Sequence, residues 1–314
     1  MRKKIVMYFH RRPLGNDPFS TFTNKRTVYH QFFKQGVSAG FQMFIASGKE
    51  NYEEPSTFKD AYEYVDGSFT PYGTISADAV FDRSGGLSFP RENNDINVLN
   101  TIAFKRLCND KNAMYALLSD YMPKNYTVRD ATELEAATKT FDDRETVVLK
   151  PAKGMQGKGI IIGPATELRA TTLEPGQEYS LQEFVDTSMG IPGVVKTRHD
   201  LRVIIVDGEI VLCHVRIPKE GSLLANVAQG GSIREVPISD IPAFIIERVF
   251  MIQRRIDVLF DFPLYSIDFG IQDGKTPYVF ELNDQIGFPS EEMDSELFIE
   301  RILRSLGKRA SLHT

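Results

Sequence analysis

The sequence predicts an α/β fold that opens with a parallel sheet and changes character beyond Val98. Three observations carry this. Apolar strand-like runs at Lys4 to Phe9, Phe41 to Ala46 and Asp78 to Asp82 alternate with a helical stretch at Thr27 to Gly40, as in parallel sheets. Later, two pairs of apolar runs are joined by Asp207-Gly208 and Asp273-Gly274, a strong hairpin signal. Finally, 314 residues at 42% hydrophobic and 25% charged can bury a large core and divide into two or three domains.

Taken in order, Gly36 and Gly40 weaken or end the first helix, and Ser47 to Thr74, polar and aromatic with scattered Gly and Pro, defines no element. Ser84 to Asn97 reads as the loop closing the first domain. Val98 to Leu107 and Asn112 to Tyr121 read as helices, the second stopped by Pro123. Asp130 and Glu133 have the spacing of a capping box for a helix through Thr140. Thr146 to Lys150 and Gly159 to Ile162 read as strands around a glycine-rich link, with Tyr179 to Val185 as a further strand. Leu201 to Val206 and Glu209 to Val215 form one hairpin; Leu264 to Ile271 and Tyr278 to Asn283 form the other. Between them Phe244, Ile245, Val249, Ile252, Ile256 and Leu259 mark a helix over Asp240 to Phe260. Glu296 to Leu306 is a last helix. The expected division is 1–97, 98–186 and 187–314.

Composition excludes several classes. A net charge of −5 without a Lys/Arg block argues against nucleic acid as a partner. No run reaches the 18 or so apolar residues that span a membrane. Two cysteines, Cys108 and Cys213, suit neither a disulfide framework nor zinc, so a reducing cytoplasm is expected. The basic start before Ile5 to Phe9 has too short an apolar run for a signal peptide.

Chemistry concentrates on the second hairpin. Symmetric pairing about its turn sets Asp268 opposite Glu281, and strand alternation puts Asn283 on the face of Glu281. Two carboxylates about 4 Å apart repel by roughly 4 kcal/mol at an effective dielectric near 20, so the patch is either a solvated charged face or a seat for a cation. Few oxygen ligands suit Mg²⁺, which completes its shell with water and phosphates. Lys153 to Gly159 (KGMQGKG) can bring backbone N–H groups and charge to a polyphosphate. It is not a Walker A loop, because a β-branched run follows where a helix is required. It is either a phosphate flap or a mobile hairpin tip. Lys150 ends an apolar strand beside it. Phe19, Phe22, Tyr29, Phe32 and Phe33 read as core. His214 reads as a packed or surface histidine. His10, Arg11 and Arg12 form a basic turn, solvated or holding an anion.

The chain from about Asn100 to Gly287 resembles the ATP-grasp superfamily, and most of all bacterial glutathione synthetase and related glutamate-adding carboxylate–amine ligases. The residues that carry this are Cys108 to Lys111 (CNDK), Leu149 to Gly157 (LKPAKGMQG), Gln182 to Val185 (QEFV) and Asp200 to Glu209 (DLRVIIVDGE). Val215 to Pro218 (VRIP), Asn226 with Gly230 and Gly231, and Phe280 to Asn283 (FELN) complete the set. The resemblance implies an ATP-grasp fold with a Rossmann-like N-terminal domain, and ATP with Mg²⁺ or Mn²⁺ as cofactors. It implies nucleotide contacts from Lys111, Lys150, Lys153, Gly154, Gly157 and Gly159, and an adenine edge at Gln182, Glu183, Phe184 and Val185. Asp200 would meet the ribose, Arg216 and Asn226 the reacting phosphate, and Asp268, Glu281 and Asn283 the metal. Arg83, after the third strand, resembles a substrate-domain arginine able to clamp a carboxylate.

Two departures stand out. Leu224 and Ala225 replace an Arg-Gly or Arg-Ser pair, removing one cation near the transferred phosphate. Asp284 to Gly287 (DQIG) replaces the usual substrate-bordering segment, so the product is expected to differ from glutathione. Plain pairing about Asp207-Gly208 also sets Arg216 on the face opposite Asp200 and Arg202, so a shared site requires a bulge or strong twist. The expected function is an ATP-dependent ligase joining a small-molecule carboxylate and amine, an amino acid or peptide. The alternatives are a small-molecule kinase on the same nucleotide site, or a nucleotide-binding structural protein of the spore-coat type. Homo-oligomerisation stays open.

Overall fold

The computed structural model describes residues 2–53, 55–85, 97–153, 159–223 and 230–311. Its first sheet contains β1 (Lys4–Phe9), β2 (Gln42–Ser47), β3 (Tyr52–Glu53), β4 (Thr57–Val65), β5 (Ser68–Ser76), β6 (Ala79–Asp82) and β7 (Val98–Leu99). The order is β3-β4-β2-β1-β6-β7, with β5 on β4. β1 pairs in parallel with β2 and β6, and β6 with β7. Because β2 leaves β1 on one side and β6 joins on the other, their carboxyl ends border a crevice of the kind that binds ligands. Helix α1 (Arg26–Ser38) links β1 to β2.

The stretch left unassigned from sequence is the β4–β5 hairpin. Its two-residue turn is Asp66-Gly67, both at positive φ (49° and 84°), the backbone of a type I′ turn. The same dipeptide signal was thus present a third time, masked by Pro71 and Gly73 in the following strand. Val98 and Leu99 are strand, not helix. Helix α2 (Ile102–Asn109) begins after Thr101, whose hydroxyl accepts from Phe104 N at 3.4 Å; that cap sets the start. Helix α3 (Lys111–Leu118) follows directly, capped by Asp110.

The second sheet, β8 (Asn125–Val128), β9 (Thr146–Pro151), β10 (Ile161–Pro164) and β11 (Tyr179–Glu183), is antiparallel in the order β10-β9-β11-β8. Helices α4 (Ala131–Thr138) and α5 (Ala165–Leu168) cover one face through Leu134, Leu168, Val147, Leu149 and Leu181. Asp130 caps α4 by accepting from Glu133 N at 2.8 Å.

The third sheet runs β14-β13-β12-β15-β16, with β12 (Asp200–Val206), β13 (Glu209–Ile217), β14 (Ser232–Glu235), β15 (Tyr265–Gln272) and β16 (Thr276–Asn283). Helix α6 (Ala243–Asp257) packs one face through Ile245, Val249, Ile252 and Ile256, together with Phe104, Met114 and Leu118 of α2 and α3. The last helix, α7 (Glu296–Ala310), buries Phe298, Ile299, Ile302 and Leu306 in the core of the first sheet. Ile204, Val206, Val211 and Leu212 of the third sheet enter that same core. The first and third sheets therefore share one apolar body, and the charged residues of the third sheet lie beyond its end. Phe19, Phe22, Tyr29, Phe32 and Phe33 belong to this core.

Candidate functional site

Two bulges aim the charged residues of the third sheet. On β13 the register with β12 shifts between Ile204 and Ile205, so Ile205 faces Ile210 but Ile204 faces Leu212. Val211 is the extra residue, and Val211 and Leu212 consequently enter one core side by side. From there on Arg216 lies opposite Asp200 and His214 opposite Arg202. The bulge that the sequence required is present. On β16 the loop is three residues, Gln272 facing Thr276, and plain pairing would set Asp268 against Phe280. A shift between Asp268 and Phe269 makes Phe280 the extra residue and sets Asp268 against Glu281, with Ser266 against Asn283. The pairing of Asp268 with Glu281 was expected, but from a symmetric turn; the bulge produces it.

One row of side chains now crosses the sheet from His214 through Arg202 and Asp268 to Glu281. Asp268 is its hub. Arg202 Nε and Nη2 donate to its two oxygens at 2.7 Å each, Arg216 Nη2 donates at 2.7 Å, and Asn283 Nδ2 at 3.1 Å. Arg216 also donates to Asp200. Burial alone would raise the Asp268 carboxyl, but Arg202 and Arg216 hold it well below the usual range. Asp200, behind it, is pushed up to about 7, first by burial and then by Asp268 against the pull of Arg216. His214 is held neutral, its pKa down to about 3 through burial and then Arg202 and Arg216. Sequence reasoning assigned Arg202 no role, although it shares a strand face with Asp200.

The second sheet presents its uncovered face to this row. Lys150 and Gln182 alternate with the core residues Leu149 and Leu181, and both are buried. Gln182 Nε2 has no hydrogen-bond partner among the described residues. Lys111 is tied to the end of β9 by its N–H to Ala152 O at 3.0 Å. Its Nζ lies 3.5 Å from Glu281 Oε1. Lys150 has its pKa lowered to about 8 by burial, with Glu281 raising and Lys111 lowering it. Lys111 at the start of α3 and Lys150 of the second sheet thus both act on Glu281 of the third. Glu183 N donates to Lys124 O and Phe184 N to Thr146 O, which fixes the chain where it leaves β11 toward Val185. Lys153 is exposed, and Gly159 sits at φ 74° where a side chain is strained. Gly154, Gly157 and Asn226 lie outside the described residues.

From the first sheet, Arg83 stands at the β1–β6 crevice, its N–H donating to Tyr8 O at 2.7 Å. Its Nε and Nη1 are buried without a partner among the described residues. Arg12 is part-buried rather than a solvated turn residue. Its guanidinium packs over Phe9 and Phe22 at 4.8 and 4.2 Å and donates to Pro18 O. A cavity of about 710 Å³ bounded by His10, Arg11, Ser47, Asn51 and Asp60 opens beside it. Behind Arg83, Lys105 and Asp82 form a fully buried ion pair, which no sequence period announces.

Residues 112–260 match the family described as prokaryotic glutathione synthetase, ATP-grasp domain. The solved structure of D-alanyl-alanine synthetase A from Vibrio cholerae aligns over 98% of both chains, with a TM-score of 0.64 at 14% identity. The chain has an ATP-grasp fold, and its matched segment is similar to the glutathione synthetase ATP-grasp domain. The ATP-grasp ligase PsnB, with minimal precursor, aligns at a TM-score of 0.60 and 15% identity, over 98% of this chain and 100% of that one. By sequence, the chain is 32% identical over 134 residues to glutathione synthetase of Shewanella oneidensis, 40% of this chain and 38% of that protein. To the Citrobacter rodentium glutathione synthetase it is 33% identical over 150 residues, 46% and 44% of the two chains. The match spans well under half the length of these relatives.

The oxygen donors of Asp268, Glu281 and Asn283 are of the kind a divalent cation takes, with both oxygens of Asp268 engaged by Arg202 and Arg216 in this structure. Among the described residues no three His, Cys, Asp or Glu side chains cluster as a metal site, so an ion here would draw on two carboxylates, the Asn283 amide oxygen, water and phosphate. That is the hard, sparse oxygen set Mg²⁺ or Mn²⁺ accepts. Asn283 donates through Nδ2 to Asp268, and its amide oxygen has no partner among the described residues. No described helix is long and apolar enough to cross a membrane.

Proposed function

We propose that this ATP-grasp chain is an ATP-dependent carboxylate–amine ligase. The observation that supports it most is the meeting of Lys111 with Glu281 at 3.5 Å, with Lys150 buried close by. Cations from α3 and the second sheet then face carboxylates of the third across a single gap, where a polyphosphate would satisfy the lysines and a divalent cation the carboxylates. ATP lies along the uncovered face of the second sheet, its adenine edge read by backbone at Glu183 to Val185 and its ribose by Asp200. Lys150, Lys111, Lys153 and the glycine loop orient the phosphates. Asp268, Glu281 and Asn283 would hold the cation, which would supply neutralisation of the phosphate charge.

Arg216 and Arg202 turn from Asp268 toward the transferred phosphate. A carboxylate oxygen attacks the γ-phosphorus, the bond to the ADP oxygen breaks, and an acyl phosphate forms. The amine nitrogen then attacks the acyl carbon, loses a proton, and phosphate leaves. Catalysis is positioning and electrostatics with no covalent protein intermediate. Arg202 supplies a second cation beside Arg216. The division 1–97, 98–186 and 187–314 corresponds to substrate, nucleotide and metal portions, in a cytoplasmic setting.

Incubation with MgATP and pooled acids and amines tests this. Amide plus ADP is expected. A stable phosphorylated product would make the chain a kinase, nucleotide binding without turnover a structural protein, and phosphate release independent of amine would refute the ligase.

A further inference from the structure

The outer face of α6 is apolar where a helix packed by its other face on a sheet is expected to be polar. Its inner face is accounted for, with Ile245, Val249, Ile252 and Ile256 in the core beneath the third sheet. On the outer face Phe250 and Met251 are 50% and 48% exposed, and Val258, just past the helix end, is 83% exposed. Glu247 and Arg254 lie in the same exposed stripe, at helical spacing from Phe250 and Val258. The arginines beside the stripe are engaged: Arg248 and Arg255 pack over the Tyr121 ring at 5.0 and 4.6 Å. Arg255 also donates to Leu117 O at 3.1 Å and to Asp120. The side chains of Glu247 and Arg254 have no partner among the described residues. Two helical turns separate them, about 10.5 Å along the axis, beyond the three- or four-residue spacing at which helix side chains pair. Phe250 and Met251 sit midway.

That order is self-complementary. A two-fold axis perpendicular to α6, passing between Phe250 and Met251, sets two copies of the helix antiparallel. Glu247 then faces the partner's Arg254, and Arg254 the partner's Glu247. Phe250 meets the partner's Met251, and Ala243 the partner's Val258. We propose that α6 is a self-association surface through which two copies of this chain pair back to back. A second copy is the occupant because the stripe carries both signs of charge at equal distances from its apolar centre. Asp268 lies between Ile267 and Phe269, which belong to the core beneath α6, and so points to the other face of the sheet. The pairing therefore leaves the cleft open and does not rest on the ligase reading. One helix of 15 residues offers a face about 22 Å long, less than a standard interface, so the dimer is reversible.

Sedimentation velocity of the full chain from about 1 to 300 µM, the range in which interfaces of this size exchange, tests the pairing. A concentration-dependent monomer–dimer equilibrium is expected. Glu247→Arg and Arg254→Glu each set like charges across the axis twice and should weaken association about ten-fold or more, at unchanged melting temperature. An equimolar mixture of the two variants should recover wild-type association, because one copy then carries two arginines and the other two glutamates. A wild type that stays monomeric throughout, or a dimer indifferent to both reversals, overturns the surface. Loss in both variants without recovery in the mixture overturns the two-fold arrangement.

Discussion

Asp268 faces Glu281 across the β15–β16 hairpin because Phe280 is an extra residue in the ladder. With Phe280 and Glu281 side by side on one face, Val279 and Leu282 both remain in the core. Without the bulge, Glu281 would face Ile267 and point into that core. Glu281→Ala should therefore remove a ligand without disturbing packing. ADP formation should fall by roughly a hundredfold or more at an unchanged melting temperature. Chelation of divalent cations should reproduce the loss and added Mg²⁺ reverse it. An active Glu281→Ala enzyme would refute the metal assignment.

The same bulge explains a glycine in mid-strand. A side chain on Gly270 would run into the Phe280 ring. Gly270→Ala should push the ring outward, cost about 1–3 kcal/mol in urea unfolding, and weaken Mg²⁺ dependence through the neighbouring Glu281. Wild-type stability in the variant would show that the ring does not need this space.

Lys150 predicts a proton linkage. Its folded pKa is lowered from 10.5 to about 8, first by burial. Between those values the unfolded chain binds the proton that the folded chain has lost, so stability without ligand should rise with pH from about 8 to about 10.5. A bound triphosphate favours the charged amine. Nucleotide binding at pH 9 should then take up protons, seen as a heat that changes with the ionisation enthalpy of the buffer, and almost none at pH 7. Lys150→Met should abolish the effect. Equal uptake in that variant would assign it elsewhere.

The Lys105–Asp82 pair, buried on both sides, joins α2 to the end of β6 next to Arg83. Lys105→Met leaves Asp82 charged and unpaired inside, although Ser84 N still donates to it at 2.8 Å. The expected cost in chemical denaturation is roughly 3–5 kcal/mol. Adding Asp82→Asn should recover most of it, since both charges are then gone. A single variant as stable as wild type would mean that Asp82 takes up a proton instead.

Much of this protein is legible in one dimension. Hydrophobic runs located β1, β2, β6, β9 and β11, helical spacing located α1 and α6, and Asp-Gly turns located both hairpins of the third sheet. These features depend on neighbours in sequence, where steric and hydrogen-bonding preferences act. The triad of Asp268, Glu281 and Asn283 and the two lysines could be named because strand alternation and motif order survive in the sequence. Three-dimensional packing decided the rest. The bulges at Val211 and Phe280 break the two-residue period by one position, and only the core on the other face shows which residue is extra. Arg202 gained its place from tertiary proximity, through its cross-strand register with Asp268. Charges act over distances that sequence separation does not record, so the sequence could name candidate nucleotide and metal residues, and only the folded chain could show which charges meet.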